Sequence, residues 1–281
     1  MSKKAKPEKM HRQSKGIATT IFLVILAIIT LFPFYLMIMM STHTGQELFT
    51  ELPLLPGDAL VDNFKEVAGS SFFKFYRNSL IASTTATIIG TLTSAMGGFA
   101  LAKYQFKGKK LITRLILMTM MIPGQISLIA YVMEMRSMGL TNSLLPVIIP
   151  FTYSSFGVYW MMQSISSSLP DAVLESARID GAGELRIFFK IVLPQIMPAI
   201  VTIALLLFLW SWNSYLVPLI TISNMENYTV PLGIAMLNGM YRTNYAAKIL
   251  ALSLGTIPLV VLFAFGSKYF IRGLTAGSVK G

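Results

Sequence analysis

Six stretches of this chain contain no Asp, Glu, Lys or Arg, and they limit its possible folds more than any other feature. They cover residues 17–40, 79–102, 115–133, 144–165, 197–219 and 249–267. Each reaches or passes the roughly 18 residues that indicate a membrane-spanning helix. The chain is 54% hydrophobic and 12% charged, whereas an average soluble protein is about 25% charged. The pattern predicts an all-α polytopic membrane protein with six transmembrane helices.

The basic residues predict how these helices are oriented. Residues 1–16, 103–114, 166–196 and 268–281 together hold 17 of the 23 Lys and Arg residues. Loops rich in Lys and Arg stay in the cytoplasm, so both termini are expected there. The net charge of +11 then reflects contact with the lipid bilayer rather than binding of nucleic acid. The first apolar run is longer than the 7–15 residues of a signal-peptide core, which predicts an uncleaved first helix.

The uncharged stretches and the loops between them divide the chain into four parts. Residues 1–16 form a cytoplasmic basic tail, and residues 17–72 contain the first transmembrane helix and an outer loop. Residues 73–271 form the transmembrane core, and residues 272–281 form a cytoplasmic C-terminal tail. The outer segment 41–78 could form a small helix or a docking surface.

A polar segment, residues 168–194, interrupts the hydrophobic half of the chain. Its sequence, SSLPDAVLESARIDGAGELRIFFKIVLP from residue 167, predicts a helix capped by Ser168, with Pro170 in its first turn and Asp171 three residues after the cap. Gly181 predicts the end of that helix, and a second helix is expected to begin near Gly183.

The two short helices are expected to be amphipathic. The first has a face of small, mostly apolar residues, and the second has a larger apolar stripe. The first face comprises Leu169, Ala172, Val173, Ser176 and Ala177, and the second comprises Leu185, Phe188, Phe189 and Val192. One interpretation is a helix lying among lipid headgroups. A protein-docking helix fits better, because headgroup helices favour Leu, Phe and Trp.

This segment carries a resemblance to a known family. Glu175-Ser176-Ala177, Gly181 and the motif Ile191-x-Leu193-Pro194 resemble the EAA signature of ATP-binding-cassette importer permeases, with Ser176 in place of the first alanine. ARIDGA (177–182), WSWNSYLVPL (210–219) and the closing YFIRGLTAGSVKG resemble the smaller permease of maltose-type carbohydrate importers. The likeness covers essentially the whole chain and is strongest over residues 73–281.

The resemblance implies a type I importer permease fold in which the polar segment couples to an ATPase. It implies coupling roles for Glu175, Ser176, Ala177, Arg178, Asp180, Gly181, Ala182, Leu193 and Pro194. The implied partners are a second homologous permease, two cytoplasmic ATPase subunits and an extracytoplasmic solute-binding protein. The implied location is a bacterial or archaeal cytoplasmic membrane, with the C-terminal tail reaching toward the ATPases.

The chain lacks the motifs that would let it hydrolyse ATP itself. It has no G-x-x-x-x-G-K-[ST] phosphate loop and no H-E-x-x-H motif. It has no cysteine, and its only histidines are His11 and His43. We therefore expect a chain that is not an enzyme and binds no metal or cofactor, with ATP and Mg²⁺ used by the partner subunits.

Polar and aromatic residues in the spans are candidates for a substrate path. Amides can bond sugar hydroxyls, and aromatic rings can stack on sugar faces. The candidates are Asn213, Trp212, Tyr215, Gln125, Tyr153 and Tyr159. The alternatives are an interfacial aromatic belt for the tryptophan, a helix-kink role for Gln125, and helix packing for the tyrosines of the fourth span.

The absence of charge from the spans predicts a neutral polar solute. The sequence therefore favours a permease for a carbohydrate, most simply an oligosaccharide. Three alternatives remain at this point: a permease for a polyol or glycerol phosphate, an ion-coupled secondary transporter, and a structural or assembly membrane protein.

Overall fold

The computed structural model describes residues 7–236 and 244–276, with side chains for residues 17, 19–236 and 244–268. These residues contain helices and no strand. The α-helices are α1 (Pro7–Met40), α2 (Leu60–Gly69), α3 (Phe72–Lys103), α4 (Lys109–Met121), α5 (Leu128–Ser137), α6 (Leu145–Ile148), α7 (Ser155–Ser168), α8 (Asp171–Ile179), α9 (Glu184–Ile187), α10 (Leu193–Gln195), α11 (Met197–Trp212), α12 (Leu216–Thr221), α13 (Val230–Met236) and α14 (Tyr245–Ala276). The prediction of an all-α fold is confirmed.

Three of the uncharged stretches lie in continuous helices long and apolar enough to cross a membrane. These are Thr19–Met40 in α1, Phe72–Lys103 (α3) and Tyr245–Lys268 in α14, with mean hydropathies of 2.8, 1.3 and 2.3. The apolar side chains of α1 are mostly exposed, as expected for a helix that contacts lipid.

The other three stretches are not single helices, which the uncharged windows did not predict. Residues 109–121 and 124–137 form a pair bent by 91° at Pro123. Ile122 is extended there (φ −86°, ψ 121°), because a proline disfavours the helical conformation of the residue before it. If each bent helix pair counts as one span, the described residues hold up to five candidate spans.

Breaks also divide the stretches 144–165 and 197–219. In the first, α6 and a 3₁₀ turn, Ile149–Phe151, precede α7. Ser154 is extended and its hydroxyl oxygen accepts a hydrogen bond from the Gly157 amide, at 3.0 Å, which caps α7. In the second, α11 ends at Trp212 and α12 begins at Leu216.

The described residues fall into two compact units. One contains residues 7–70 and 244–254. In it the buried Asn63 side chain donates to the carbonyls of Ser41 (2.9 Å) and His43 (2.8 Å). The Asn244 amide donates to Asn63 Oδ1 at 3.1 Å and to Glu66 Oε2 at 2.7 Å. These bonds fix α2 within the outer segment, where a small helix was one of the two expectations.

The other unit contains residues 71–236 and 255–276. Here α3 packs closely against α7 and α11. Glycines allow this approach: a Cβ on Gly98 would lie 2.4 Å from Met161 Cβ, and one on Gly157 would lie 2.3 Å from Ser94 Oγ. The main core of this unit connects these three helices to the polar segment that follows α7.

Candidate functional site

The polar segment forms two short helices joined by a tight turn, as the sequence predicted. Helix α8 ends at Ile179, and Gly181 follows in the left-handed region at φ 77°. The Ala182 amide donates to the Ala177 carbonyl and the Gly181 amide donates to the Arg178 carbonyl, both at 3.0 Å. This pair of bonds is the Schellman motif, which satisfies the last carbonyls of a helix. The turn fixes the direction in which α9 leaves α8.

Two details of the predicted helix start are wrong. Ser168 is the last residue of α7, and its hydroxyl donates to the Ser164 carbonyl at 2.6 Å rather than capping α8. Pro170 occupies the N-cap position and Asp171 is the first helical residue. A proline at 170 favours an extended conformation for the residue before it, so Leu169 separates α7 from α8.

The apolar faces of the segment also differ from the prediction. Leu174 and Ala177 are the buried residues of α8, whereas Ala172 and Ser176 are exposed. In the second helix, Ile187 is fully buried, and Leu185 and Phe189 are exposed. Phe188 and Val192 are buried as expected.

The end of α3 holds the start of the segment through Lys103. The Lys103 ammonium donates to the Leu169 carbonyl and to Asp171 Oδ1, the latter at 2.7 Å. The Lys103 side chain is only 7% exposed, so its charge is shielded from water while it holds both partners. The hydrogen bond and charge of Lys103 lower the pKa of the exposed Asp171 carboxyl below its ordinary value. We call this arrangement the Lys103 clamp.

A second set of contacts, here called the Tyr104 network, holds the turn between α8 and α9. Arg178 Nε donates to Glu184 Oε1 at 2.7 Å, and its guanidinium lies 5.7 Å from the centre of the Tyr104 ring. The Tyr104 hydroxyl donates to Glu184 Oε2. The pKa of Glu184 is lowered, mainly by its hydrogen bond from Arg178. The pKa of Tyr104 is raised, by burial first and then by Glu184.

The inner side of the segment packs into the main core. Leu174, Ala177, Ile187, Phe188 and Val192 belong to one buried cluster with residues of α3, α7 and α11. The Phe188 ring lies 5.8 Å from the Phe99 ring of α3. Fully burying a side chain of this size contributes about 1.5–3 kcal/mol. The segment is therefore attached to three long helices and should move with them.

The outer side of the segment is exposed and carries charges without partners. The carboxylates of Glu175 and Asp180 make no hydrogen bond or ion pair with any residue that the structure describes. Ile179 is 86% exposed and Leu185 is 66% exposed. The outer face of α8 and the turn that follows it thus presents two free carboxylates, the small side chains Ala172 and Ser176, and the apolar Ile179.

The remaining implied coupling residues lie in different environments. Ala177 is buried, Ala182 and Leu193 are half-buried, and Arg178 is occupied by the Tyr104 network. Pro194 is exposed beside a five-residue π-helical turn, Phe188–Val192, and the chain bends by 84° between residues 184–195 and 197–212. A proline cannot donate to the carbonyl four residues earlier and its ring crowds that carbonyl, which accounts for the wider turn.

The candidate path residues divide into exposed and buried positions. Asn213 is exposed at the end of α11, and its amide donates to the Leu209 carbonyl at 2.8 Å. Tyr215 and Tyr153 are also exposed. Gln125 is exposed at the break between α4 and α5, and its side chain bonds no described backbone group. Tyr159 is half-buried and its hydroxyl accepts from Gln163 Nε2 at 3.1 Å.

Trp212 has no exposed face in this conformation. Its indole is 3% exposed, stacks on Phe208 at 5.6 Å and donates from Nε1 to the Gly255 carbonyl at 3.0 Å. It therefore serves in packing rather than on an open path or in an aromatic belt. The exposed tryptophan is Trp210, whose ring contacts Phe156 of α7 at 5.9 Å.

The sequence reasoning missed the residues that fix the segment. Lys103, Tyr104 and Glu184 lie in or next to polar stretches, but their partners are up to 80 positions away in the chain. The Lys residues at 103–110 are the available signal in the sequence, but by themselves they indicate only topology.

Comparison with known proteins identifies the family. Residues 90–276 match the model for the binding-protein-dependent transport system inner membrane component. The chain belongs to this family. The permease protein AraQ of the arabinooligosaccharides transport system of Bacillus subtilis is 35% identical over 270 residues, which is 94% of this chain and 96% of AraQ.

Two further similarities cover nearly the whole chain. The permease protein MalG of the trehalose/maltose transport system of Thermococcus litoralis is 32% identical, over 95% of this chain and 98% of MalG. A solved bacterial ABC transporter involved in the import of the acidic polysaccharide alginate matches with a TM-score of 0.79. At 22% identity, with 96% of this chain and 100% of that one covered, this match shows the shared importer permease fold.

The family assignment decides among the alternatives left by the sequence. An ATP-binding-cassette importer permease is confirmed, and neither the solitary secondary transporter nor the structural protein fits a binding-protein-dependent family. Among the residues that the structure describes, no group of three or more His, Asp or Glu residues could hold a metal ion. The end of the C-terminal tail, residues 277–281, and residues 1–6 lie outside the described part of the chain.

Proposed function

We propose that this chain is the permease subunit of an ATP-driven importer for an oligosaccharide. The relatives AraQ and MalG are named for arabinooligosaccharide and for trehalose/maltose transport. Six stretches long enough to cross the membrane contain no Asp, Glu, Lys or Arg, which suits a neutral, hydroxyl-rich solute. The partners would be a homologous permease, two ATPase subunits and an extracytoplasmic binding protein, with both termini of this chain in the cytoplasm.

The observation that carries the coupling proposal is the contrast between the two sides of the polar segment. Its outer face presents free carboxylates and small side chains, and its inner face is packed and clamped to α3, α7 and α11. A partner that binds the outer face can move these helices together. ATP-driven closure of the partner ATPases would thereby switch the permease between inward-facing and outward-facing states.

Within the face, Glu175 would pair with a basic residue of the ATPase, and Ser176 would allow close backbone approach. Asp180, Gly181 and the exposed Ile179 would complete the contact. Ala177, Ala182 and Leu193 would hold the segment from its inner side.

We propose Asn213, Tyr215, Gln125 and Tyr153 as path residues, since their polar or aromatic groups are exposed. ATP hydrolysis and its Mg²⁺ would belong to the ATPase subunits.

The test is ATP-dependent uptake of labelled oligosaccharides into vesicles that contain the chain with its partner subunits and binding protein. We expect uptake by the native importer to require both ATP and the binding protein. Glu175→Lys should reduce uptake at least tenfold while the assembled permease still reaches the membrane. Glu51→Lys, at an exposed position in the outer segment, is the matched charge-reversal control and should keep the protein assembled. Uptake without ATP, or full uptake by Glu175→Lys, would overturn the proposal.

A further inference from the structure

A cavity lies among the ends of α3, α4 and α7, outside the outer face of the polar segment. It has a volume of about 860 Å³ and is lined by the end of α3, the loop that follows it, the start of α4 and the last turns of α7. Its polar side includes Lys109, Lys110, Arg114 and Ser166, and no Asp or Glu lines it. The cavity therefore favours an anionic group.

The cations of this cavity are available to a ligand. Lys110 and Arg114 are exposed and lie four residues apart on one face of α4. Their side chains have no hydrogen bond or ion pair with any described residue. Lys109 donates one hydrogen bond, from Nζ to the Tyr104 carbonyl at 3.0 Å, which leaves two of its donors. Unpaired cations of like charge in one small cavity repel each other, and an anion between them relieves that repulsion.

The start of α4 adds to this preference. Gly108 precedes the helix in the left-handed region, at φ 91°, and α4 is 13 residues long. The positive end of its dipole favours a phosphate. Part of the lining is apolar, including Leu101, Phe106 and Met162. A free phosphate has no use for such a surface, whereas the glycerol and acyl groups of a phospholipid do.

The position of the cavity along the chain agrees with a lipid. Its lining residues fall at the ends of three uncharged stretches, 79–102, 115–133 and 144–165. They therefore lie where the hydrocarbon core meets the headgroups. We propose that this cavity binds the phosphate group of an anionic phospholipid, with the three cations on the phosphate and the acyl chains against the apolar lining. The lipid would belong to the cytoplasmic leaflet, because residues 103–114 are expected on the cytoplasmic side. The site goes beyond the proposed function, and only this choice of leaflet rests on it.

A bound lipid would link parts of the fold that lead to the coupling segment. The lining joins the α3–α4 connection to Met162 and Ser166 of α7, and α7 ends three residues before α8 begins. Lys103 and Tyr104, which hold the segment, lie in the same connection. Lipid binding is therefore expected to stabilise the attachment of the coupling segment as well as α4.

The test uses native mass spectrometry of the full chain in detergent micelles, titrated with phosphatidylglycerol and, for comparison, with phosphatidylcholine. We expect the native protein to retain phosphatidylglycerol selectively. Lys110→Gln/Arg114→Gln should weaken its binding about thirtyfold, at roughly fivefold per lost cation. Ser166→Glu, which keeps the cations and adds a carboxylate at an exposed position, should weaken it in the same direction. Arg77→Gln/Arg136→Gln removes two exposed cations outside the cavity and should have no effect.

A parallel measurement separates the lipid from soluble phosphate. The thermal unfolding temperature should rise with phosphatidylglycerol, and this rise should be absent with inorganic phosphate at the same concentration. Equal retention of phosphatidylglycerol by the native protein, by Lys110→Gln/Arg114→Gln and by Ser166→Glu would overturn the site. An equal rise in unfolding temperature with inorganic phosphate would overturn its assignment to a lipid.

Discussion

At the scale of single residues, Lys103 at the end of α3 has the largest predicted effect on the attachment of the coupling segment. Lys103→Met keeps the length and apolar character of the side chain but leaves the Leu169 carbonyl without its donor. An unsatisfied buried carbonyl costs about 1–3 kcal/mol. We expect Lys103→Met to lower the free energy of unfolding by about that amount and to reduce uptake. The measurement is denaturant unfolding with uptake on the same preparation, and Lys107→Met, at an exposed position, should leave both unchanged.

The carboxyls of the segment predict a pH dependence. Asp171 and Glu184 have lowered pKa values in the fold, so their contribution to stability is present above their unfolded pKa values and is lost as the pH falls through the lower folded values. The unfolding temperature should therefore decrease below about pH 4.5, the ordinary value for Glu. Glu184→Gln should flatten this decrease; an identical profile in the variant would contradict the role of the Tyr104 network.

Some site residues could be predicted from the sequence and others could not. The difference is whether their role depends on local structure or on contacts with distant residues. Gly181 could be predicted because a helix end and a left-handed turn are local properties. Lys103 and Tyr104 could not, because their partners at Asp171 and Glu184 are brought close only by the packing of α3 on α7 and α11. The same applies to Trp212, which the sequence placed on a path and the packing buries.

At the scale of elements, the turn between α8 and α9 provides a matched pair of substitutions. A Cβ on either Gly181 or Gly183 would meet no atom within 4 Å, but only Gly181 has a positive φ. Gly181→Ala should therefore cost about 1–2 kcal/mol through backbone strain and reduce uptake per ATP hydrolysed. Gly183→Ala should do neither. Measuring uptake and ATP hydrolysis for both variants tests this, and equal effects would show that the turn geometry is not what matters.

The contact between α3 and α7 offers a second comparison. A Cβ on Gly98 would lie 2.4 Å from Met161 Cβ and 2.7 Å from the Met162 amide nitrogen, whereas one on Gly97 would lie 3.2 Å from the end of Val158. Gly98→Ala must displace α7 and should cost about 1–3 kcal/mol. Gly97→Ala should cost less, because the Val158 side chain can shift. Thermal unfolding in detergent distinguishes the two, and equal melting temperatures would contradict the close packing.

The breaks in the helices mark the limit of reading elements from hydropathy. A window without charge shows that residues can lie in lipid, but it does not indicate whether they form one continuous helix. Pro123 and Pro150 lie at two of the breaks. The presence of a proline does not predict a break, however, because α1 continues through Pro33 and α14 continues through Pro258. Which proline bends a helix depends on the neighbouring helices that take up the freed backbone groups.

At the scale of the whole molecule, the coupling segment has two sides with different roles. The inner side belongs to the core of the permease, and the outer side belongs to a partner. This explains why a chain of such hydrophobic composition carries a polar stretch with free carboxylates. The family and the general fold could be predicted because the motif and the uncharged stretches are contiguous in sequence; the attachment of the segment could not, since it depends on contacts between distant residues.

The outer face of α8 can be tested directly because the chain contains no cysteine. Ser176→Cys places one thiol on this exposed face. Ser137→Cys places one at the exposed end of α5, between the third and fourth uncharged stretches, where the charge pattern predicts the outer side of the membrane. The measurement is the yield of disulfide or maleimide cross-links from each variant to the ATPase subunits in the assembled importer. We expect cross-linking from position 176, changing in yield with ATP, and none from position 137. Cross-linking from position 137, or none from position 176 in an importer that still takes up sugar, would contradict the assignment of the outer face of α8 to the ATPase.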